Sequence, residues 1–318
     1  MIQRTAVFVF PSLRGTFKLP YFVIPLLLCS FPTWSQKVKN VPEAFNDIDS
    51  SPTTIHIRNI LDVPTENGHF QGIQVMEIHG RKKLLVSGSS LHRSYILQAD
   101  LESQETDTLI TLMKDPFRHA GGIQVSNGYL AVGIEDNFNK TRAKASIYNY
   151  RNGNLYKSLP DITIDRFGEV KRPTAGATGL LALDEGYLMV VANWDSRIWD
   201  FYAVEPENGK YRLLKSFDAP TNWASYQSIN LIMDEKHIYA IGFYQEMNIS
   251  QADLIYVSSV DHFEPQMEKI GTKYFNCTNG VDFIGAAGLE VENGEKLNIW
   301  ATQKNALEGI AVNIFSKK

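Results

Sequence analysis

From Thr53 to Phe315 the chain is built from short apolar runs that alternate with polar positions and stop at compact polar turns. Alternation with a period of two marks half-buried strands, and no stretch sustains the 3.6-residue period of an amphipathic helix. The runs recur. HFQGIQV begins at His69, HAGGIQV at His119, GATGLLA at Gly176, SYQSINL at Ser225 and GAAGLEV at Gly285, so the starts lie 50, 57, 49 and 60 residues apart. After each comes a turn: His79-Gly80-Arg81, Ser126-Asn127-Gly128, Asp184-Glu185-Gly186, Asp234-Glu235-Lys236 and Glu292-Asn293-Gly294. Asn-Gly and its analogues supply the positive φ angles of a tight hairpin. The returning strands are KLLVSGS, YLAVGIE, YLMVVAN, IYAIGFY and LNIWATQ.

Third strands follow as SYILQADL, ASIYNYR, RIWDFYAV, DLIYVSSV and GIAVNIF. Fourth strands are expected at TDTLITLM, NLYKSLPDI, YRLLKSF and MEKIGTKYF, which serves four copies only. The fifth copy runs out of chain after three strands, while TTIHIRNILDV, residues 53–63, stands alone before the first copy. Circular closure resolves both ends at once, with the N-terminal strand completing the last sheet. A linear stack would instead call for capping repeats.

Four-stranded sheets repeated around an axis resemble the β-propeller class, here over roughly residues 53–316. The resemblance is to a five-bladed β-propeller of secreted bacterial type, all-β, with the N-terminal strand closing the last blade. Five-bladed propellers include sugar-binding lectins, glycosidases and calcium-dependent nucleotidases, and fold alone does not choose among them. The expected organisation is a signal peptide at 1–35, a linker at 36–52 and one propeller domain at 53–318.

The signal reading rests on Arg4, Arg14 and Lys18 without any acid, then the apolar run YFVIPLLLCSF, then Ser35 before a cut at Gln36. That run is short for a membrane span, which takes about 20 apolar residues. The mature chain is therefore expected in the periplasm or outside the cell, with no stable transmembrane segment; a lipid anchor at Cys29 is the weaker alternative, because Leu28 is bulky before it. Loss of residues 1–35 removes three cations and moves the formal charge from -4 to about -7. A mildly acidic chain without a basic cluster points away from nucleic acid. Cys277 then stands alone, and reads as a small buried hydrophobe more readily than as a reactive thiol.

Antiparallel geometry brings the start of each first strand and the end of each second strand to the same rim, the mouth of an axial funnel. The opposite rim carries ordinary turn residues. The chemically varied rim is where a ligand is expected. The first copy places His69 and Gln71 there, and the second His119, Glu135 and Asp136. The third adds Asn193, Trp194, Asp195 and Arg197, the fourth Tyr226, Gln227 and Tyr244, and the fifth Gln303.

Trp194, Tyr226 and Tyr244 offer flat faces for a sugar ring, and the amides and Arg197 offer hydrogen bonds; packing between blades is the competing use of those aromatics. His119, Glu135 and Asp136 are the acid–base candidates for a hydrolase or lyase. Against this, WD-repeat propellers place a structural histidine at such a loop. A divalent metal is a further reading, joining both imidazoles to Glu135 or Asp136, although residues on two blades form no metal motif. The expected function is binding of a polar small molecule or carbohydrate in the funnel, with an acid–base enzyme or a protein-interaction scaffold as alternatives.

Overall fold

The computed structural model describes residues 36–64, 66–155 and 159–317. The signal peptide at 1–35 and Cys29 lie outside the described residues. Among the described residues the fold is all-β, with twenty strands and one α-helix, α1 (Val41–Asp47). None of its helices is long and apolar enough to cross a membrane.

The strands come as antiparallel groups in chain order. The lone N-terminal strand is β1 (Thr53–Arg58). The first group is β2 (Phe70–Ile78), β3 (Arg81–Ser89), β4 (Arg93–Asp100) and β5 (Glu105–Lys114). The second is β6 (His119–Ser126), β7 (Tyr129–Glu135), β8 (Arg142–Asn149) and β9 (Ile162–Phe167). Then come β10 (Ala177–Ala182), β11 (Tyr187–Ala192), β12 (Ile198–Glu205) and β13 (Lys210–Asp218), followed by β14 (Ser228–Met233), β15 (His237–Glu246), β16 (Ile249–Ser259) and β17 (Glu268–Phe275). The last is β18 (Ala286–Glu292), β19 (Lys296–Thr302) and β20 (Gly309–Phe315).

β1 pairs antiparallel with β20, from Thr53 opposite Ile314 to Arg58 opposite Gly309, which is the partner the incomplete fifth copy calls for. One expected strand is misplaced. The second group's outer strand was expected at residues 154–162 and lies at Ile162–Phe167, because pairing with β8 starts only at Ile162 opposite Ile147. The chain first turns back at Tyr150, whose N–H donates to Gly128 O, and at Gly153, where φ is 74°. The alternation that marks the true strand is in ITIDRF, whose Ile162, Ile164 and Arg166 are buried.

The repeated small residue in the first strands has a physical cause. A Cβ on Gly72 would stand 2.5 Å from Ile123 N, and one on Gly288 would stand 1.9 Å from Ile73 O. The innermost strands touch, and β18 bridges β2 at Ala287 and Gly72 while β10 bridges β6 at Ala177 and Gly122. Between them the axis is filled by buried amides. Gln74 Nε2 donates to Asn230 Oδ1 at 3.0 Å, Gln124 Nε2 donates to Leu231 O at 2.7 Å, and Asn230 Nδ2 donates to Ile123 O at 2.9 Å. These amides satisfy one another and the strand backbones, as buried polar groups must.

Residues 36–52, expected as a linker, carry α1. Asn40 caps it by accepting a hydrogen bond from Glu43 N. Val38, Val41, Phe45 and Ile48 are buried in a cluster with Phe243 and Leu254 of the β14–β17 sheet and Leu289, Ile299 and Phe315 of the β18–β20 group. The β14–β17 sheet has no strand pairing to another named strand, and the helix packs at its seam with the last group. Ahead of the helix, Gln36 reaches the axis: its Nε2 donates to Val125 O, and Ser126 Oγ donates to its Oε1 at 2.7 Å. Cys277 is a free thiol packed against the helix cluster, and burial pushes its pKa up to about 11, so it is protonated at neutral pH.

Candidate functional site

The β6–β7 hairpin answers how a histidine and an acid separated by 16 positions meet: His119 and Glu135 are direct partners across the ladder. A register shift between Ala120 and Ile123 accommodates the Gly121-Gly122 pair as a bulge, an irregularity that re-aims side chains at strand ends. Both side chains are buried, His119 at 3% exposure and Glu135 at 0%. His119 Nδ1 stands 3.1 Å from Glu135 Oε1, within ion-pair distance. The pair lacks the alignment of a hydrogen bond, and neither His119 nitrogen nor Glu135 Oε1 has another protein partner. Glu135 is held by its other oxygen, which accepts from Ala175 N at 3.2 Å.

His69, from the equivalent position of the first copy, sets its ring centroid 5.3 Å from that of His119, edge to face. Trp194 lies on the other side of His119 at 5.9 Å and is half-buried. His69 Nδ1 lies 2.7 Å from Phe70 O, a contact that fixes the proton on Nδ1 and leaves Nε2 as the acceptor. Burial lowers the pKa of His69, neighbouring His119 lowers it further, and the Phe70 carbonyl opposes them. Lys140 Nζ sits 3.9 Å above the Trp194 ring, a cation–π contact.

Gln71 is buried, with its Nε2 3.4 Å from Gly176 O and 3.5 Å from Gln227 Oε1 and its own Oε1 unpartnered. The structure therefore gathers His69, His119, Glu135 and Trp194, with Gln71 and Gln227 joined to each other beside Gly176.

The remaining rim candidates are engaged elsewhere. Asp136 organises its own loop, accepting from Phe138 N, Asn139 N and Asn139 Nδ2 and pairing with Arg142 Nε at 3.0 Å, contacts that keep its pKa low despite burial. Asn193 Oδ1 accepts from Arg197 N and Ile198 N. Arg197 spends its guanidinium on the carbonyls of Asp195, Pro220, Trp223 and Ala224. Asp195 pairs with Lys171 at 3.3 Å.

Tyr226 is 1% exposed, donates to Asp253 Oδ2 at 2.7 Å and packs edge-on against Trp199. Tyr244 donates to Gln251 Oε1. Gln303 Nε2 donates to Asn305 O and Gly309 O. Sequence reading did not single out Lys140. Its signal was the turn grammar of Asp136-Asn137 and Asn139, which marks a tight loop with an outward tip.

Among the described residues no three His, Cys, Asp or Glu side chains form a metal-binding group. A separate groove runs along the outer strand β13, lined by Arg212, Leu214, Lys215, His262 and Phe263, none of which belongs to the histidine cluster.

No protein-family model matches the chain, and no curated protein matches it. Among solved structures, the GH43 endo-arabinanase from Bacillus licheniformis superimposes with a TM-score of 0.53 at 10% identity, covering 80% of this chain and 95% of that one. The chain has the propeller-like fold of that hydrolase. A thermostable family-43 glycoside hydrolase gives 0.47 at 9% identity over 80% of this chain and 91% of its own. The GH43_1 enzyme from Xanthomonas citri complexed with xylose gives 0.41 at 6% identity over 80% and 89%. At such identities the likeness concerns the fold.

Proposed function

We propose that this is an exported five-bladed β-propeller, its antiparallel groups being the blades, that binds a polar small molecule, carbohydrate foremost, at the mouth of its axis. The observation that carries this reading is the set of buried polar atoms without hydrogen bonds around His119. Burial of a polar atom without a partner costs about 1–3 kcal/mol, and such atoms are rare in folded proteins. Here both nitrogens of His119, Glu135 Oε1 and Gln71 Oε1 lack hydrogen bonds. A ligand rich in hydroxyl groups supplies both donors and acceptors to such a set. Trp194 beside His119 supplies a flat apolar face for a ring once the Lys140 side chain that rests on it moves aside. Because the axis below is filled by Gln74, Gln124 and Asn230, the ligand sits at the mouth and not along a channel.

The likeness to an endo-arabinanase makes carbohydrates the first ligands to test. Calorimetric titration of the purified chain with arabino-oligosaccharides, other neutral oligosaccharides and acidic ones should find a binder, and His119→Ala and Trp194→Ala should abolish its binding in the protein that stays folded, with a lower melting temperature in His119→Ala because Glu135 is left buried without its neighbour. Binding that survives both substitutions places the ligand elsewhere.

One observation favours an acid–base enzyme as the second reading. Glu135 Oε1 stands 3.1 Å from His119 Nδ1, so that a small rotation of either group on ligand binding would align a hydrogen bond and orient the imidazole for acid–base work. Asp136 has no part in it, since its oxygens are committed to its own loop. Release of reducing ends or of unsaturated products, lost in Glu135→Gln with binding retained, tests this reading. Export is checked by mass spectrometry of the mature N-terminus, expected near Gln36.

A further inference from the structure

The connection from β9 to β10 holds two of the site's side chains in place. Within it Thr174 and Ala175 are both buried at 0% exposure. A threonine hydroxyl has one proton to give and lone pairs to receive with, and Thr174 uses both: its Oγ1 donates to Lys171 O at 2.7 Å and accepts from Trp194 N at 2.7 Å. One residue on, Ala175 N donates to Glu135 Oε2 at 3.2 Å. Trp194, which follows β11, and Glu135, which ends β7, are therefore held by adjacent residues of one short segment.

That segment is itself clamped at both ends. Arg166 Nε, from β9, donates to Pro173 O at 2.9 Å, and Gly122 N donates to Gly176 O at 3.0 Å. The segment lies so close to the β6–β7 hairpin that a Cβ on Gly133 would strike Ala175 O and one on Gly121 would strike Gly176 O. With its ends pinned and no room beneath it, the segment's remaining freedom is at the turn from Lys171 to Thr174, which the Thr174 hydroxyl closes.

Resting on the reading of this rim as a ligand site, we propose that Thr174 is its positioning residue. Its hydroxyl holds the Trp194 backbone and, by closing the turn onto Lys171 O, presents Ala175 N to Glu135, so that the indole face and the acid beside His119 are set in one frame. Thr174 is buried and meets no ligand; it acts through those two residues. Thr174→Val removes both hydroxyl bonds at nearly constant volume, whereas Thr174→Ser keeps the hydroxyl and loses only a methyl group.

Two readouts need no ligand. Among the described residues Trp194 is the one half-buried tryptophan, Trp199, Trp223 and Trp300 being buried, so the fluorescence lost in Trp194→Phe isolates its signal. In Thr174→Val the acrylamide quenching of that signal should roughly double as a half-covered indole opens to solvent, and the His119 ring resonances, assigned by their loss in His119→Gln, should shift as Glu135 is released. Thr174→Ser should match the parent in both. Thr302→Val is the control, since Thr302 is equally buried and its hydroxyl also donates to a carbonyl, Ala311 O at 2.8 Å, but on β19. It should lower the melting temperature and move neither signal. In calorimetric titration with the oligosaccharide that the parent binds, arabinotriose being tried first, Thr174→Val should weaken binding by about two- to tenfold, the worth of one hydrogen bond, and Thr174→Ser should restore it.

Trp194 and His119 signals in Thr174→Val that equal the parent's, or that Thr302→Val reproduces, overturn the proposal while sugar binding by the parent leaves the ligand-site reading standing. Failure of both Thr174→Val and the smaller Thr174→Ala to fold also overturns it, by making the hydroxyl a requirement of the whole fold. Failure of the parent to bind any oligosaccharide overturns the ligand-site reading and the positioning role with it.

Discussion

Phe45→Ala tests whether residues 36–52 belong to the fold. Phe45 is 1% exposed and packs with Val41 of its own helix and Ile48 just after it against side chains of the β14–β17 and β18–β20 groups. An aromatic ring buries about 150–250 Å², which at about 25 cal/mol per Å² amounts to roughly 4–6 kcal/mol. Measured Phe→Ala changes in cores run at about 3–5 kcal/mol, so about 4 kcal/mol is the expected loss. Set against a total stability of about 5–15 kcal/mol, that is a large fraction. At about 2–4 °C per kcal/mol the melting temperature should fall by on the order of 10 °C. Lys39→Ala, on the exposed side of the same segment, is the control and should stay within about 0.5 kcal/mol. Guanidinium unfolding followed by tryptophan fluorescence reads both variants. A midpoint for Phe45→Ala equal to that of Lys39→Ala would show that the helix is a tether and that the seam is stable without it.

Other outcomes follow from the geometry. Gly288→Ala should leave little folded protein, because its Cβ meets the backbone oxygen of Ile73 at 1.9 Å and a backbone atom cannot step aside; soluble expression with wild-type circular dichroism would contradict the closeness of the inner strands. Deleting residues 36–64 removes α1 and β1 together and should prevent folding, since β20 then loses its outer partner; a truncated chain with an unchanged melting temperature would mean that closure lies elsewhere. His69 has a folded-state pKa below the ordinary 6.5, so the folded state binds its proton less readily than the unfolded chain. Its contribution is intact above about pH 6.5 and declines as pH falls from there through the lowered value. Urea midpoints measured from pH 7.5 to 5 should therefore fall less steeply in His69→Gln than in the parent, and equal slopes would refute the assignment.

Much of the architecture was legible because it is encoded locally. Hairpins follow from period-two alternation and from turns such as Asn127-Gly128, and neither depends on distant residues. The pairing of β1 with β20 was legible by subtraction, one copy being a strand short and one strand being spare. His119 and Glu135 were legible as neighbours because an antiparallel hairpin fixes who faces whom. The helix was not. Its apolar positions Val41, Phe45 and Ile48 span only two turns, too few for a periodic signal, and their burial depends on two sheets distant in sequence.

The same distinction divides the candidate site. The chain by itself decides which residue types reach the rim, since strand direction places them. Tertiary structure decides which of them remain uncommitted. Tyr226 is taken by Asp253 on another strand, and Arg197 by the carbonyls of Trp223 and Ala224 in the next loop; only the folded arrangement brings those partners within reach. His119 and Gln71 keep atoms without an aligned hydrogen bond, although Glu135 stands within ion-pair distance of His119, and among the described residues Lys140 contacts the Trp194 ring and no carboxylate. A hydrogen bond between remote residues needs alignment within tenths of an ångström, and that precision comes from the accumulated packing of every intervening strand and not from any local pattern.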